Sequence, residues 1–167
     1  MKSAKFAVLF GALSLVFMGC PYESKFPVDD PSNSKMDKSV TGDWECQGED
    51  DYTYTITADG SQYKIVKKKK SGEDEPTKYI GFVSNIGAEN AYLNVYEETE
   101  SSSSSSDRKY YIYKYTKQGE RFKILGVTDN ITEEFTSSSE LREFIKKYQG
   151  ISFFFDKDEE KKFQKPF

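Results

Sequence analysis

Large and small side chains alternate with period two along most of the chain from Thr41 onward. Tyr52-Thr53-Tyr54-Thr55-Ile56-Thr57 places rings and an aliphatic on one face and Thr on the other. That is the pattern of a strand buried on one side. Asp59-Gly60 supplies a hairpin turn, and Tyr63-Lys64-Ile65-Val66-Lys67 reads as the returning strand. The rhythm repeats over 78–84, 91–97, 108–116 and 121–127. In the third of these, Lys109, Tyr111, Tyr113 and Tyr115 share one face, and Tyr110, Ile112 and Lys114 the other. Six or seven short strands, spaced by roughly 10–15 residues, predict an antiparallel meander, either a sandwich or an up-and-down barrel.

One segment switches to a helical period. Leu141, Phe144, Ile145 and Tyr148 form a single apolar stripe at i, i+3, i+4 and i+7. Ser137 and Glu140 have the spacing of a capping box before it. Lys146, Lys147 and Gly150 suit its end. The spacing predicts a helix over 139–149 that covers the sheet or one barrel mouth. Ile151 to Phe155 reads as a further strand, 156–162 as a polar turn, and 163–167 as a last short strand.

The first forty residues follow neither rhythm. Lys2 and Lys5 precede an apolar run from Phe6 to Met18. Thirteen helical residues rise about 20 Å, short of the roughly 30 Å hydrocarbon core of a bilayer. A basic start with a short apolar stretch predicts a secretory signal peptide over 1–19. Pro21, Pro27 and Pro31 exclude a helix next and favour extended chain. Residues 20–40 therefore read as a flexible tether reaching on the order of 60 Å. Tyr22, Phe26 and Val28 are its candidates for docking. The folded domain is expected over 41–167. Ser101–Ser106, six serines with no apolar side chain, are expected to form a solvated, mobile hairpin tip.

Composition narrows the chemistry. The 167 residues include 13 Phe and 12 Tyr but no His. Rings must therefore fill a core short of aliphatics. Without His, a Ser-His-Asp triad is impossible and the commonest metal ligand is missing. No phosphate-binding or dinucleotide-binding glycine loop is present, and no Gly-x-Ser-x-Gly. A net charge of −4 offers no footprint for nucleic acid. The Lys67–Lys70 run is followed by Glu73, Asp74 and Glu75, which nearly cancel it. Asp43, Glu49, Asp50 and Asp51 lack the spacing of a calcium loop and suggest no more than a weak surface cation site. No catalytic residue, metal or cofactor is expected, and the chain is not expected to be an enzyme. Cys46 shares a face with Trp44 and reads as an inert core thiol. The Tyr rows 52/54, 92/96 and 111/113/115 either fill the core with hydroxyls at its rim or line an amphipathic cavity or glycan-stacking surface.

Phe17-Met18-Gly19-Cys20 resembles a bacterial lipobox. That resemblance implies cleavage before Cys20 and a diacylglycerol on its thiol, with palmitate-type acyl chains anchoring the protein. Gly42-x-Trp44 resembles the element that opens lipocalins, where the Trp plugs the closed barrel end and a late helix packs outside. The chain as a whole resembles lipoproteins of Bacteroidota over Pro21–Ser24, Gly42–Glu45 and Phe135–Ile145. These resemblances imply a lipocalin-like barrel held in the cell envelope, at the outer membrane, with periplasmic and surface faces both open. They imply binding of a small apolar molecule or glycan in or on the barrel. The alternative is a protein-interaction lipoprotein, an inhibitor or accessory subunit. A cavity of roughly 300 Å³ or more inside the barrel would favour the first.

Overall fold

The computed structural model describes residues 22–166; Cys20 and the signal segment 1–19 lie outside the described residues. Nine strands are present: β1 (Glu23–Ser24), β2 (Gly42–Cys46), β3 (Tyr52–Asp59), β4 (Gln62–Lys69), β5 (Thr77–Ile86), β6 (Asn90–Glu97), β7 (Tyr110–Gln118), β8 (Arg121–Val127) and β9 (Phe155–Gln164). One helix, α1, spans Ser138–Tyr148. Each strand from β2 to β9 pairs antiparallel with its neighbour in sequence. Cys46 opposite Phe163 and Glu45 opposite Gln164 join β2 to β9. The result is a closed, eight-stranded, up-and-down barrel with one helix near the C-terminus, a lipocalin-like arrangement. Tight hairpins are possible because Gly60 and Gly119 adopt φ of 61° and 58°, which a side chain would resist.

Period two sorts the side chains into two cores. Trp44, Cys46, Tyr54, Ile56, Tyr63, Leu93, Val95, Phe122, Ile124 and Phe163 point inward. Ile80, Phe82, Tyr92, Tyr96, Tyr110 and Ile112 point outward from β5, β6 and β7, where Leu141 and Ile145 of α1 cover them. The expected helix is therefore an outer layer. Ser137 Oγ accepts from the Glu140 N–H at 3.2 Å. Glu140 Oε2 accepts from the Thr136 N–H at 2.8 Å, so the reciprocal half of the capping box falls one residue earlier. Gly150 is not left-handed; the helix ends through the Gln149 N–H bonded to the Ile145 carbonyl at 2.8 Å. Ser137→Ala is expected to lower stability by about 1 kcal/mol, read from the urea midpoint.

Three sequence expectations are corrected. The polar turn over 156–162 is the middle of β9. Pairing with β8 on both sides of a bulge opposite Leu125 and Gly126 outweighs the poor strand propensity of Asp, Glu and Lys, because β9 closes the barrel. Phe153 and Phe154 are correspondingly not strand but a short 3₁₀ turn over Ser152–Phe154.

The second correction concerns the tether, which over residues 22–40 is a strap bound to the barrel. β1 pairs with the upper end of β7, Glu23 opposite Tyr111. Val28 is fully buried against the outer core. Its N–H donates to Asn94 Oδ1 at 2.7 Å. Asp29 pairs with Arg142 of α1 at 3.0 Å. Ser34 Oγ accepts the Val83 N–H on β5 at 3.1 Å. Tyr63 OH binds the Asp37 backbone, and Val40 enters the inner core. Proline excludes a helix but leaves an extended chain free to dock, and here it docks throughout.

Third, the serine run is the solvated β6–β7 hairpin tip expected, exposed at every serine but Ser102, yet it has local structure: Ser101–Ser103 and Ser105–Asp107 form two 3₁₀ turns. Ser102 is buried: its Oγ accepts the Thr99 N–H at 2.8 Å and donates to the Thr99 carbonyl at 2.9 Å. Arg108, lying over the Tyr96 ring, donates to the Ser102 carbonyl at 2.9 Å. A small hydroxyl that both donates and accepts suits this turn.

Candidate functional site

The two ends of the barrel differ. At one end Trp44 is fully buried, edge-on to Phe122 with centroids 4.7 Å apart. Its Nε1 donates to the Val40 carbonyl at 2.8 Å, tying it to the strap. Phe122 stacks on Phe163 at 4.5 Å. Rings and strap close this end, the position that the lipocalin resemblance implied for the Trp.

Above this plug lies a cavity of about 320 Å³. Its body is aliphatic, with Ile56, Ile65, Leu93, Val95 and Ile124 on inward positions of four strands, β3, β4, β6 and β8. Tyr54, Tyr79, Tyr111 and Tyr113 add rings with polar tips. Glu23, Glu97, Lys67 and Lys161 surround the opening. Burial first, and Glu23 second, push the Tyr111 phenol up to about 12, so it stays protonated at any physiological pH.

The charged side of the opening is organised around Glu49, in the loop between β2 and β3. Its two carboxylate oxygens each meet a lysine at 2.6 Å, Lys67 of β4 and Lys161 of β9. Tyr54 OH also donates to it. Burial would raise this carboxyl, the largest single influence. The hydrogen bonds from Lys161, Lys67 and Tyr54 together outweigh it and bring the pKa from 4.5 to about 2. The same carboxylate, with burial as the larger cause, drives the Tyr54 phenol far above its usual range. Lys67 also lies 4.2 Å over the Tyr52 ring.

The sequence-derived candidates divide accordingly. Tyr54, Tyr111 and Tyr113 line the cavity. Tyr92 and Tyr96 face the outer core, where Tyr92 OH donates to Gln149 Oε1 at 2.9 Å beside the helix. Cys46 is buried next to the plug, and burial, followed by Glu49, raises its thiol pKa, leaving little thiolate at neutral pH. Asp43 accepts from Thr55 Oγ1 at 2.7 Å, and Glu49 serves the lysines, so the loosely spaced acids do not gather. Among the described residues no group of three or more His, Cys, Asp or Glu side chains could hold a metal. No helix among them is long and apolar enough to cross a membrane.

The sequence shows Glu49 among loosely spaced acids, Lys67 in a lysine run and Lys161 in a polar stretch, but not that the three meet. The register held a signal for the lysines: Lys67 falls in step with Tyr63 and Ile65, and Lys161 with Phe163. Each was read as part of a charged run. No protein-family model matches this chain, and neither does any curated protein or solved structure.

Proposed function

We propose that the protein is a lipoprotein of the cell envelope, anchored through Cys20, whose barrel holds a small apolar molecule. The observation that carries this reading is the cavity of about 320 Å³ above the Trp44 plug, walled by aliphatics and rings. That volume reaches the range of small-molecule sites. Aliphatic walls favour an apolar chain over a glycan, whose hydroxyls would lose water without replacement partners deep inside. The polar groups at the opening would meet a polar head. No residue has a catalytic part in this reading.

Native mass spectrometry of the full chain purified from an envelope fraction tests it. A co-purified apolar ligand is the expected result. Leu93→Trp should fill the cavity and weaken uptake of the fluorescent apolar probe anilinonaphthalene sulfonate by at least about tenfold, with an unchanged far-UV spectrum. If the unaltered protein carries no ligand and binds no probe, the interaction-protein reading replaces this one.

A further inference from the structure

We infer that the cavity opening is the membrane-facing end of the barrel, and that Phe153 is a second contact with the lipid. The inference rests on acylation of Cys20, the reading proposed above, and adds an orientation to it.

The first observation is where the strap begins. Glu23 lines the cavity. It is pinned there by pairing with Tyr111, by the Tyr111 OH at 3.1 Å and by Lys109 at 2.9 Å. The Tyr22 N–H donates to the Val127 carbonyl at 3.3 Å, at the same end of β8. Two residues, Pro21 and Tyr22, separate Cys20 from Glu23, and the three steps of fully extended chain span only about 10 Å. An anchor at Cys20 is therefore confined to the neighbourhood of the opening. The long reach expected from a free tether is lost, because the strap uses its length on the barrel wall.

The second observation is independent. Phe153, 76% exposed, is the large hydrophobic side chain left in the open among the described residues. It sits in the turn before β9, and that turn is fixed at the same end. The Thr128 N–H donates to the Phe154 carbonyl at 3.0 Å, and Phe155 pairs with Val127, whose carbonyl holds Tyr22. An exposed ring and an acyl anchor on one end of a barrel suit an apolar interface, where each adds to the binding of the other. The opposite end carries the Gly60 and Gly119 turns and the buried Trp44 plug. With the opening against lipid, an apolar ligand would pass between bilayer and cavity without crossing water.

The test uses the full chain in vesicles of phosphatidylethanolamine and phosphatidylglycerol with brominated acyl chains, which quench indole emission. Trp44 is the chain's one tryptophan and serves as an internal reference. Phe153→Trp adds a reporter at the proposed contact, and Glu120→Trp adds one in the β7–β8 turn at the far end. The expected result is a blue-shifted Phe153→Trp emission, quenched at least about twofold more than that of Glu120→Trp. Equal quenching of the two reporters, or stronger quenching of Glu120→Trp, overturns the orientation. The intact mass separates the two ways of failing. Cys20 without its lipid overturns the lipoprotein reading itself, whereas a lipidated chain with the wrong quenching pattern overturns only the orientation.

Discussion

Asn94→Ala is expected to lower the melting temperature by roughly 10 °C, the largest single-residue effect foreseen. Asn94 is fully buried on the outward face of β6. Its Oδ1 accepts from the Val28 N–H at 2.7 Å, and its Nδ2 donates to Ser84 Oγ at 2.9 Å and to the Phe82 carbonyl at 3.3 Å. Alanine removes these partners at once. The Val28 N–H and the Ser84 hydroxyl would then lie buried and unpaired, at about 1–3 kcal/mol each. The sum is on the order of 3 kcal/mol. Leucine at the same position fills the volume but rescues neither group, so it should be nearly as damaging. Thermal unfolding followed by circular dichroism gives the stability. Limited proteolysis locates the damage: cleavage within residues 25–35 should rise well before the barrel itself is cut. Unchanged cleavage there would mean that the strap is held by its other contacts and that Asn94 is not its clasp.

Acid should weaken the fold through Glu49. Its folded pKa of about 2 lies below the ordinary value of 4.5. A depressed carboxyl contributes stability above its unfolded pKa and loses it as pH falls through the folded one. The contribution is thus complete above about pH 5 and disappears progressively toward pH 2, amounting to roughly 3 kcal/mol. Glu49→Gln should forfeit most of that at neutral pH, since two ammonium groups would then face an amide. Its own urea midpoint should vary less between pH 5 and 2 than that of the unaltered chain. Two parallel pH profiles would show that the carboxylate is not the group responsible.

How much could be read from residues alone depended on what each segment packs against. The strands β3 and β4 were legible because each buries one face, and period two records that directly; β5, β6 and β7 bury both faces, and their β-branched and aromatic content marked them instead. The helix was legible through its stripe and its N-terminal Ser. β9 was not, since Lys157, Asp158 and Lys162 meet water, a bulge breaks its period, and Phe163 alone marks its inward face near the end. Its strand character comes from partners on both sides, which local sequence does not contain. The strap was half legible: Val28 and Tyr22 were candidates for docking, but a few apolar residues among prolines and acids do not announce a surface they fit. The cavity wall was foreshadowed by the Tyr row of β7. The cluster at its opening was not, because Lys161 and Glu49 stand 112 residues apart and meet only when the barrel closes.

That closure also orders events in time. The β2–β9 seam joins the first strand of the barrel to its last. A growing chain can form hairpins as it emerges, but it holds only an open sheet until Phe155–Gln164 is available. During that interval β2 and β8 are unpaired edges, the surfaces most prone to join a neighbouring chain. The highly charged composition of β9 has a use here. A last strand rich in Asp, Glu and Lys stays solvated while it waits, and it resists pairing with anything but the two edges it is built to join.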